Sequence, residues 1–356
     1  MIHSLPPYIQ YIASIIISAA ISIYAVRKII FITRKKNLFD VPDSIRKIHG
    51  ANIPSLGGIG IFIGFIVPSA FFMGTMWSYI IASCVILFFT GIYDDIMNMR
   101  PYKKLVAQLV ASALTIYVTD IRLESLYGLF GIFALPYWLS IGVSILLCTF
   151  YINVFNFVDG IDGLACTLAI FYTLTLGILF AGISLTGVAA ICFSLAGATA
   201  GLLFFNRAPA KIYMGDTGSM LLGFMIFILS LLFVNMYGKT GVNPLTVMLG
   251  QGKNGIMLIT AMLFLPVFDA LRVFALRASK GISPLKADRT HLHYYLLDAG
   301  LGHSKSVAII VGANVVSLLV AFIMQGDAPI ITLIILVAIA SGVMLVAQKM
   351  RRQRTR

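Results

Sequence analysis

The sequence has little charge and almost no glutamate. Only 11% of its 356 residues are charged, against about 25% in an ordinary soluble domain, while 60% are apolar. That balance excludes a soluble globular enzyme. Sixty per cent of 356 is about 214 apolar residues, which at roughly 20 residues per bilayer crossing fills about ten or eleven helices. One integral membrane domain spanning 1–356 follows, because little chain remains for anything else. Of the 13 acids, 12 are Asp and one, Glu124, is Glu. A soluble helix surface would use Glu freely, so these acids look placed. The four cysteines, Cys84, Cys148, Cys166 and Cys192, lie in apolar runs without CxxC or His spacing, which excludes a redox or zinc motif and leaves small-hydrophobe packing. No basic segment precedes the first apolar run, whereas Arg34, Lys35 and Lys36 follow it. That order reverses a cleavable signal peptide and predicts a retained first span with its N-terminus outside. Internal repeats, low-complexity tracts and long linkers are absent.

Eleven apolar runs are present, near 8–33, 57–74, 79–93, 104–119, 135–155, 163–182, 185–205, 217–236, 254–277, 305–324 and 328–348. The expected fold is an all-α polytopic membrane protein with about eleven transmembrane helices and a cytoplasmic C-terminus. Segments 34–56, 94–104, 206–216, 278–304 and 349–356, with the flanking helix ends, hold 23 of the 26 Lys and Arg; only Arg122, Lys239 and Lys253 fall opposite. The excess of basic residues predicts that this face is cytoplasmic and meets anionic lipid or anionic substrate, not nucleic acid. Asp120, Glu124 and Asp327 belong to the outer face; the other ten acids lie in or beside the basic loops. A carboxylate at bilayer depth costs at least about 2.5 to 3.5 kcal/mol, so partners must offset it.

Five clusters bear chemistry, in loops near 34–56, 94–104, 153–163, 206–219 and 278–304. Asp94 and Asp95 end the third span in GIYDDIMN, ahead of Arg100, Lys103 and Lys104. Adjacent carboxylates repel, which suits a divalent cation, a basic partner, or one acid kept as a base; a boundary marker is the plain alternative. NVFNFVDGIDGLA sets Asn153, Asn156, Asp159 and Asp162 around flexible glycines, with donors and acceptors that could read a polar ring. NRAPAKIYMGDTGS carries Asn206, Lys211, Tyr213 and Asp216; Asp216, Thr217 and Ser219 also read as a helix N-cap, and both roles can hold at once. Tyr213 offers an aromatic face for a base or for the interface. PLKADRTHLHYYLL carries Lys286, Asp288, Arg289, His291 and His293; without a third ligand nearby, phosphate binding fits HxH better than zinc. RKIHGANIPSLGG sets Arg46, Lys47 and His49 before Gly57 and Gly58, a pattern suited to a phosphate or simply to a positive-inside loop.

In this order the motifs resemble those of the polyprenyl-phosphate N-acetylhexosamine-1-phosphate transferases, and the resemblance covers nearly the whole chain. It rests on RKIH followed by GG, on DD closing the third span, on NVFNFVDGIDGLA, on NRAPAKIYMGDTGS and on FDALRVFALRASKGISPLKADRTHLHYYLL. The resemblance implies a UDP-N-acetylhexosamine donor, undecaprenyl phosphate as acceptor, Mg2+ with Mn2+ as its substitute, and a bacterial inner-membrane enzyme working at the cytoplasmic face. A homodimer is one assembly open to such a chain, and the sequence leaves the oligomeric state open. It also implies roles: Asp94 and Asp95 as the catalytic pair, Asp216 with Asp95 on the metal, and Lys47, Asn156, Asp159, Asp162, Asn206, Tyr213, Arg289, His291 and His293 on the donor side. Asp94 is expected to deprotonate or orient the acceptor phosphate, or to be the nucleophile of a covalent two-step route. Two departures stand out: Asn98 replaces an acid found in some relatives, and Tyr294 replaces a final histidine. RKIH and HLHY favour UDP-GlcNAc over the muramoyl-pentapeptide donor of the peptidoglycan translocase. A polytopic transporter would instead carry its ionisable residues near the midplane.

Overall fold

The computed structural model describes residues 5–36, 53–72, 74–129, 131–239, 253–281, 283, 289–324 and 328–354. Each of the eleven apolar runs coincides with a helix: α1 Pro7–Lys36, α2 Gly58–Ser69, α3 Thr75–Met97, α4 Pro101–Thr119, α5 Tyr137–Val158, α6 Leu164–Gly182, α7 Thr186–Asn206, α8 Gly215–Lys239, α9 Lys253–Ala278, and, beyond the short α10 Leu292–Asp298, α11 His303–Met324 and α12 Pro329–Arg354. Among the described residues nine of these are long and apolar enough to cross a bilayer. The other two are α2, only 12 residues long with Pro68 near its end, and α4, whose first turn carries Lys103 and Lys104. The protein is an all-α, multi-pass membrane protein. Among the described residues one non-helical element is present, and it is unforeseen: a hairpin of β1 Ser125–Leu129 and β2 Ile132–Ala134, paired antiparallel between α4 and α5.

Helix α8 is the axis. Met220, Leu221, Leu222, Phe224, Met225, Ile226, Ile228 and Leu229 are all fully buried, and consecutive residues point in every direction around a helix. A helix enclosed on all sides can be apolar all round, and α2, α3, α5, α6 and α9 pack against it. The outer helices are apolar all round for another reason. In α12 only the stripe Thr332, Leu336, Ala340, Met344 and Ala347 is buried, while Ile330, Ile331, Ile334, Leu345 and Val346 are exposed, as lipid requires. Helix α1 buries Gln10, Ser14, Ser18 and Ser22 and turns Ile12, Ile16, Ile17, Ile23 and Ile32 outward. Its small residues let α7 approach closely, with Gly201 set against Ser22 and the Ala19 carbonyl.

Hydrogen bonds within the bundle fix α4. Thr115 Oγ1 donates to Ser83 Oγ at 2.8 Å, Ser83 Oγ to the Ala111 carbonyl at 2.8 Å, and Asn153 Nδ2 on α5 to Gln108 Oε1 at 2.6 Å. Gln108 lies one turn along α4 from Lys104, so this amide pair ties the part of α4 that carries Lys104 to α5. The ends of α3, α5 and α12 and the starts of α4, α6, α8 and α11 gather at one end of the bundle with α10. The hairpin closes the other end, where Tyr127 Oη donates to the Val234 carbonyl at 3.2 Å and Asn235 Nδ2 to the Arg122 carbonyl at 2.8 Å.

Candidate active site

Asn98 ends α3 in a left-handed conformation, φ 51°, and its N–H donates to the Asp94 carbonyl at 2.9 Å. Asparagine tolerates that geometry better than most residues. The position at which some relatives carry an acid is therefore a helix terminator here. The turn brings the Met99 N–H onto Asp94 Oδ1 at 2.6 Å, and Pro101 then starts α4 at a position that needs no N–H.

From α4, Lys104 reaches back between two carboxylates. Its Nζ lies 3.2 Å from Asp94 Oδ2 and 2.8 Å from Asp216 Oδ2. Asn156, at the end of α5, donates to Asp216 Oδ1 and to Ser219 Oγ, the latter at 2.8 Å. Asp94 and Asp216, far apart in sequence, thus meet around one ammonium group, with Asn156 on the other oxygen of Asp216.

Asp95 sits differently from its neighbour. Its Oδ1 accepts the Asp216 N–H at 2.7 Å, and its Oδ2 accepts the Thr217 N–H at 3.1 Å and the Thr217 hydroxyl at 2.6 Å. Both oxygens are engaged in capping α8, satisfying N–H groups that no helical carbonyl can reach. Asp216 follows Gly215, whose φ of +74° and whose surroundings both exclude a side chain: a Cβ there would lie 2.7 Å from each Asp95 oxygen. The capping foreseen for Asp216 is supplied from α3 instead, which leaves the Asp216 carboxylate for Lys104 and Asn156.

Asp159 and Asp162 lie in the turn between α5 and α6. Asp159 accepts the Gly215 N–H, and its carboxyl is pushed up to about 7, first by burial and then by the negative charge of Asp216. Asp162 Oδ2 accepts the Ala210 N–H at 3.1 Å, while its own N–H donates to His303 Nδ1 at 3.1 Å. Asn206 is buried; it accepts the Gly163 N–H at 3.1 Å and donates to the Ile212 carbonyl at 2.9 Å. Asp162 and Asn206 therefore tie the α5–α6 and α7–α8 loops together. Tyr213 is half-buried, and its backbone pairs with Pro54 and Gly57. Gly57 and Gly58, read as a phosphate loop, allow α2 to touch residues 213–218: the Gly58 N–H donates to the Met214 carbonyl at 2.8 Å, and a Cβ at Gly58 would strike the backbone of Gly218. Lys211 is exposed.

The histidines form a second group. His291 Nδ1 lies 2.9 Å from Asp269 Oδ2 on α9, and its ring stacks on His293 at 5.7 Å and on Phe157 at 5.4 Å. Asp269 also accepts the Leu292 N–H at 3.1 Å and binds Arg272 Nη2 at 2.7 Å. His293 packs against Gly160, where a Cβ would collide with its ring, so the histidine segment abuts the Asp159 loop. Lys104, Asp269 and Arg272 were not foreseen as site residues. An acid and a base three apart inside an apolar span were the available signal for Asp269 and Arg272. Lys47, Lys286 and Asp288 lie outside the described residues.

Among the described residues no three acidic, His or Cys side chains are arranged to cage a metal by themselves. Mg2+ ordinarily uses one or two carboxylates and completes its shell with water and substrate phosphates. The hard oxygens of Asp94 and Asp216, already converging on a cation, fit that pattern. A cavity of about 410 Å³ opens beside Asp162, Phe204, Arg207 and Ser304, and neither Asp94 nor Asp216 lines it.

The site is thus a membrane-embedded acidic centre at one end of a helical bundle. Residues 76–234 match the glycosyl transferase family 4 model. The chain is 30% identical over 284 residues to a probable undecaprenyl-phosphate N-acetylglucosaminyl 1-phosphate transferase of Bacillus subtilis (strain 168), covering 75% of this chain and 72% of the relative. It is 30% identical over 294 residues to a decaprenyl-phosphate N-acetylglucosaminephosphotransferase of Mycolicibacterium smegmatis, covering 74% and 70%. It is 28% identical over 310 residues to the undecaprenyl-phosphate alpha-N-acetylglucosaminyl 1-phosphate transferase of Salmonella typhi, covering 83% and 78%. The chain belongs to glycosyl transferase family 4, among the polyprenyl-phosphate N-acetylhexosamine-1-phosphate transferases.

Proposed function

We propose that the protein transfers N-acetylglucosamine 1-phosphate from UDP-GlcNAc to undecaprenyl phosphate at the cytoplasmic face of the bacterial inner membrane, forming the first lipid-linked intermediate of a cell-envelope glycan. The observation that carries this reading is the meeting of Asp94, Lys104, Asn156 and Asp216, in a chain whose relatives are named undecaprenyl-phosphate N-acetylglucosaminyl 1-phosphate transferases. An acceptor phosphate oxygen attacks the sugar-bearing phosphorus, the bond to the bridging oxygen breaks, and UMP leaves with that oxygen.

Donor and acceptor are both anionic, so positive charge must offset their repulsion. Bound Mg2+ would supply charge neutralisation at the donor diphosphate. Asp94 and Asp216 are the residues that would hold it, since Asp95 is engaged in capping α8. Lys104 directs its ammonium at the same point and meets phosphate charge there. His291, held by Asp269, and Arg289 bind the donor phosphates, while Asp159 and Tyr213 face the nucleotide.

The experiment is transfer of labelled sugar phosphate into lipid by purified protein with undecaprenyl phosphate and Mg2+. UDP-GlcNAc should be consumed, with UMP released. Consumption of UDP-MurNAc-pentapeptide with UDP-GlcNAc ignored would overturn the donor assignment.

A further inference from the structure

We propose that Arg351, in the last turn of α12, is a positioning residue for the donor site: it holds in place the segment 289–298 that carries Arg289, His291 and His293. The donor role of that segment rests on the function proposed above. Two routes lead from Arg351 to the histidines. In the first, Arg351 Nη2 lies 3.1 Å from Asp298 Oδ2, and the other oxygen of Asp298 accepts Arg289 Nη2 at 3.0 Å. One carboxylate therefore ties both ends of α10 to the end of α12. In the second, the Arg351 guanidinium lies over the Tyr295 ring at 4.7 Å, and Arg272 lies over the same ring at 5.7 Å. Arg272 also grips Asp269, the carboxylate that fixes His291.

Seven residues are too few for a helix to persist unaided, so α10 depends on what surrounds it. The His291 and His293 rings pack on Phe157 and Gly160 and the body of α10 touches α11 and α12, while its charged ties are Asp269 at the start and the α12 arginines at the end. Gly300, just beyond α10, lies against Arg354, where a Cβ would sit 2.8 Å from its Cζ. The end of α12 thus touches α10 through charge, ring and backbone, whereas the rest of α12 faces α9, α11 and lipid.

The test uses the full chain in detergent with two readouts. Hydrogen exchange needs no substrate: in Arg351→Gln, and equally in the isosteric Asp298→Asn, amides of 289–298 should exchange about fivefold faster, with the start of α8 unchanged. In transfer assays both variants should raise the UDP-GlcNAc KM about fivefold while kcat and the acceptor KM stay within about twofold. The double variant should fall short of the product of the two single penalties, because the Arg351–Asp298 link is lost in both, although Arg351→Gln also gives up the Tyr295 ring and Asp298→Asn also frees Arg289. Arg351→Lys keeps a positive charge for Asp298 but loses the planar group over Tyr295, and should fall between the parent and Arg351→Gln in both readouts. Unchanged exchange in 289–298, penalties that multiply in the double variant, or a loss confined to the acceptor KM would each overturn the proposal. If the parent protein ignores UDP-GlcNAc while exchange responds as expected, the functional reading falls and the positioning of 289–298 by Arg351 stands.

Discussion

At the hairpin end of the bundle Lys239 meets Glu124 at 2.8 Å and Arg122 meets Asp120 at 2.9 Å, one cation to one acid. At the opposite end the single ammonium of Lys104 faces Asp94 and Asp216, with Asp95 and Asp159 hydrogen-bonded to the backbone beside them. Neutral pairs at an edge need nothing further and contribute about 0 to 1 kcal/mol each. A surplus of carboxylates around one cation is costly in a half-buried site and favours any ligand that brings positive charge. The two ends already differ in composition, 23 of the 26 basic residues lying on one face, but that excess of base does not foretell a local surplus of acid. What distinguishes them is the ratio of acid to base that folding brings within reach.

The largest break in this contrast should come from Asp216→Asn, which removes one of the two carboxylates that face Lys104. Transfer should fall by about a hundredfold to a thousandfold, measured as labelled lipid, with yield of extracted protein unchanged. Next is Gly91→Ala on α3. The new methyl would lie 2.6 Å from the Thr217 N and 2.9 Å from the Asp216 carbonyl carbon, pushing the start of α8 away from Asp95. Melting in detergent should report about 1 to 3 kcal/mol lost.

A smaller effect concerns pH. Asp159 binds its proton more tightly folded, at about 7, than at its ordinary 3.8. Its contribution to stability is therefore present below about pH 4 and is lost as pH rises toward about 7. Metal-free melting temperatures should decline across that window, and Asp159→Asn should flatten the decline. The least effect belongs to Lys239→Ala at the hairpin end: activity within about twofold and at most about 1 kcal/mol of stability. A large loss there would erase the distinction between the ends.

Much of this was legible in the sequence. Each apolar run became a helix, because in lipid every backbone polar group must be satisfied within the segment. The four cysteines are buried and unpaired, as their apolar settings implied. The acids near the basic loops also gathered, but their roles did not follow from adjacency. Asp94 and Asp95 are neighbours in sequence, yet a rotation of about 100° per helical residue sends one toward Lys104 and the other to the start of α8. Asp269 stayed hidden because an acid within an apolar span has no visible partner until α10 folds onto it. The hairpin was missed because β1 and β2 total only eight residues, too few for an alternating pattern to register.

By itself the sequence determined that the protein lives in a membrane, which segments are helical, and the family to which its motifs belong. Hydrophobic length and residue type are local properties, and the bilayer acts on them locally. The tertiary structure alone decided which carboxylate caps a helix, which shares a lysine, and which histidine is held by an acid. Those assignments depend on distances of about 3 Å between residues well separated along the chain, 22 positions for Asp269 and His291 and 121 for Asp95 and Asp216, and no local pattern encodes them.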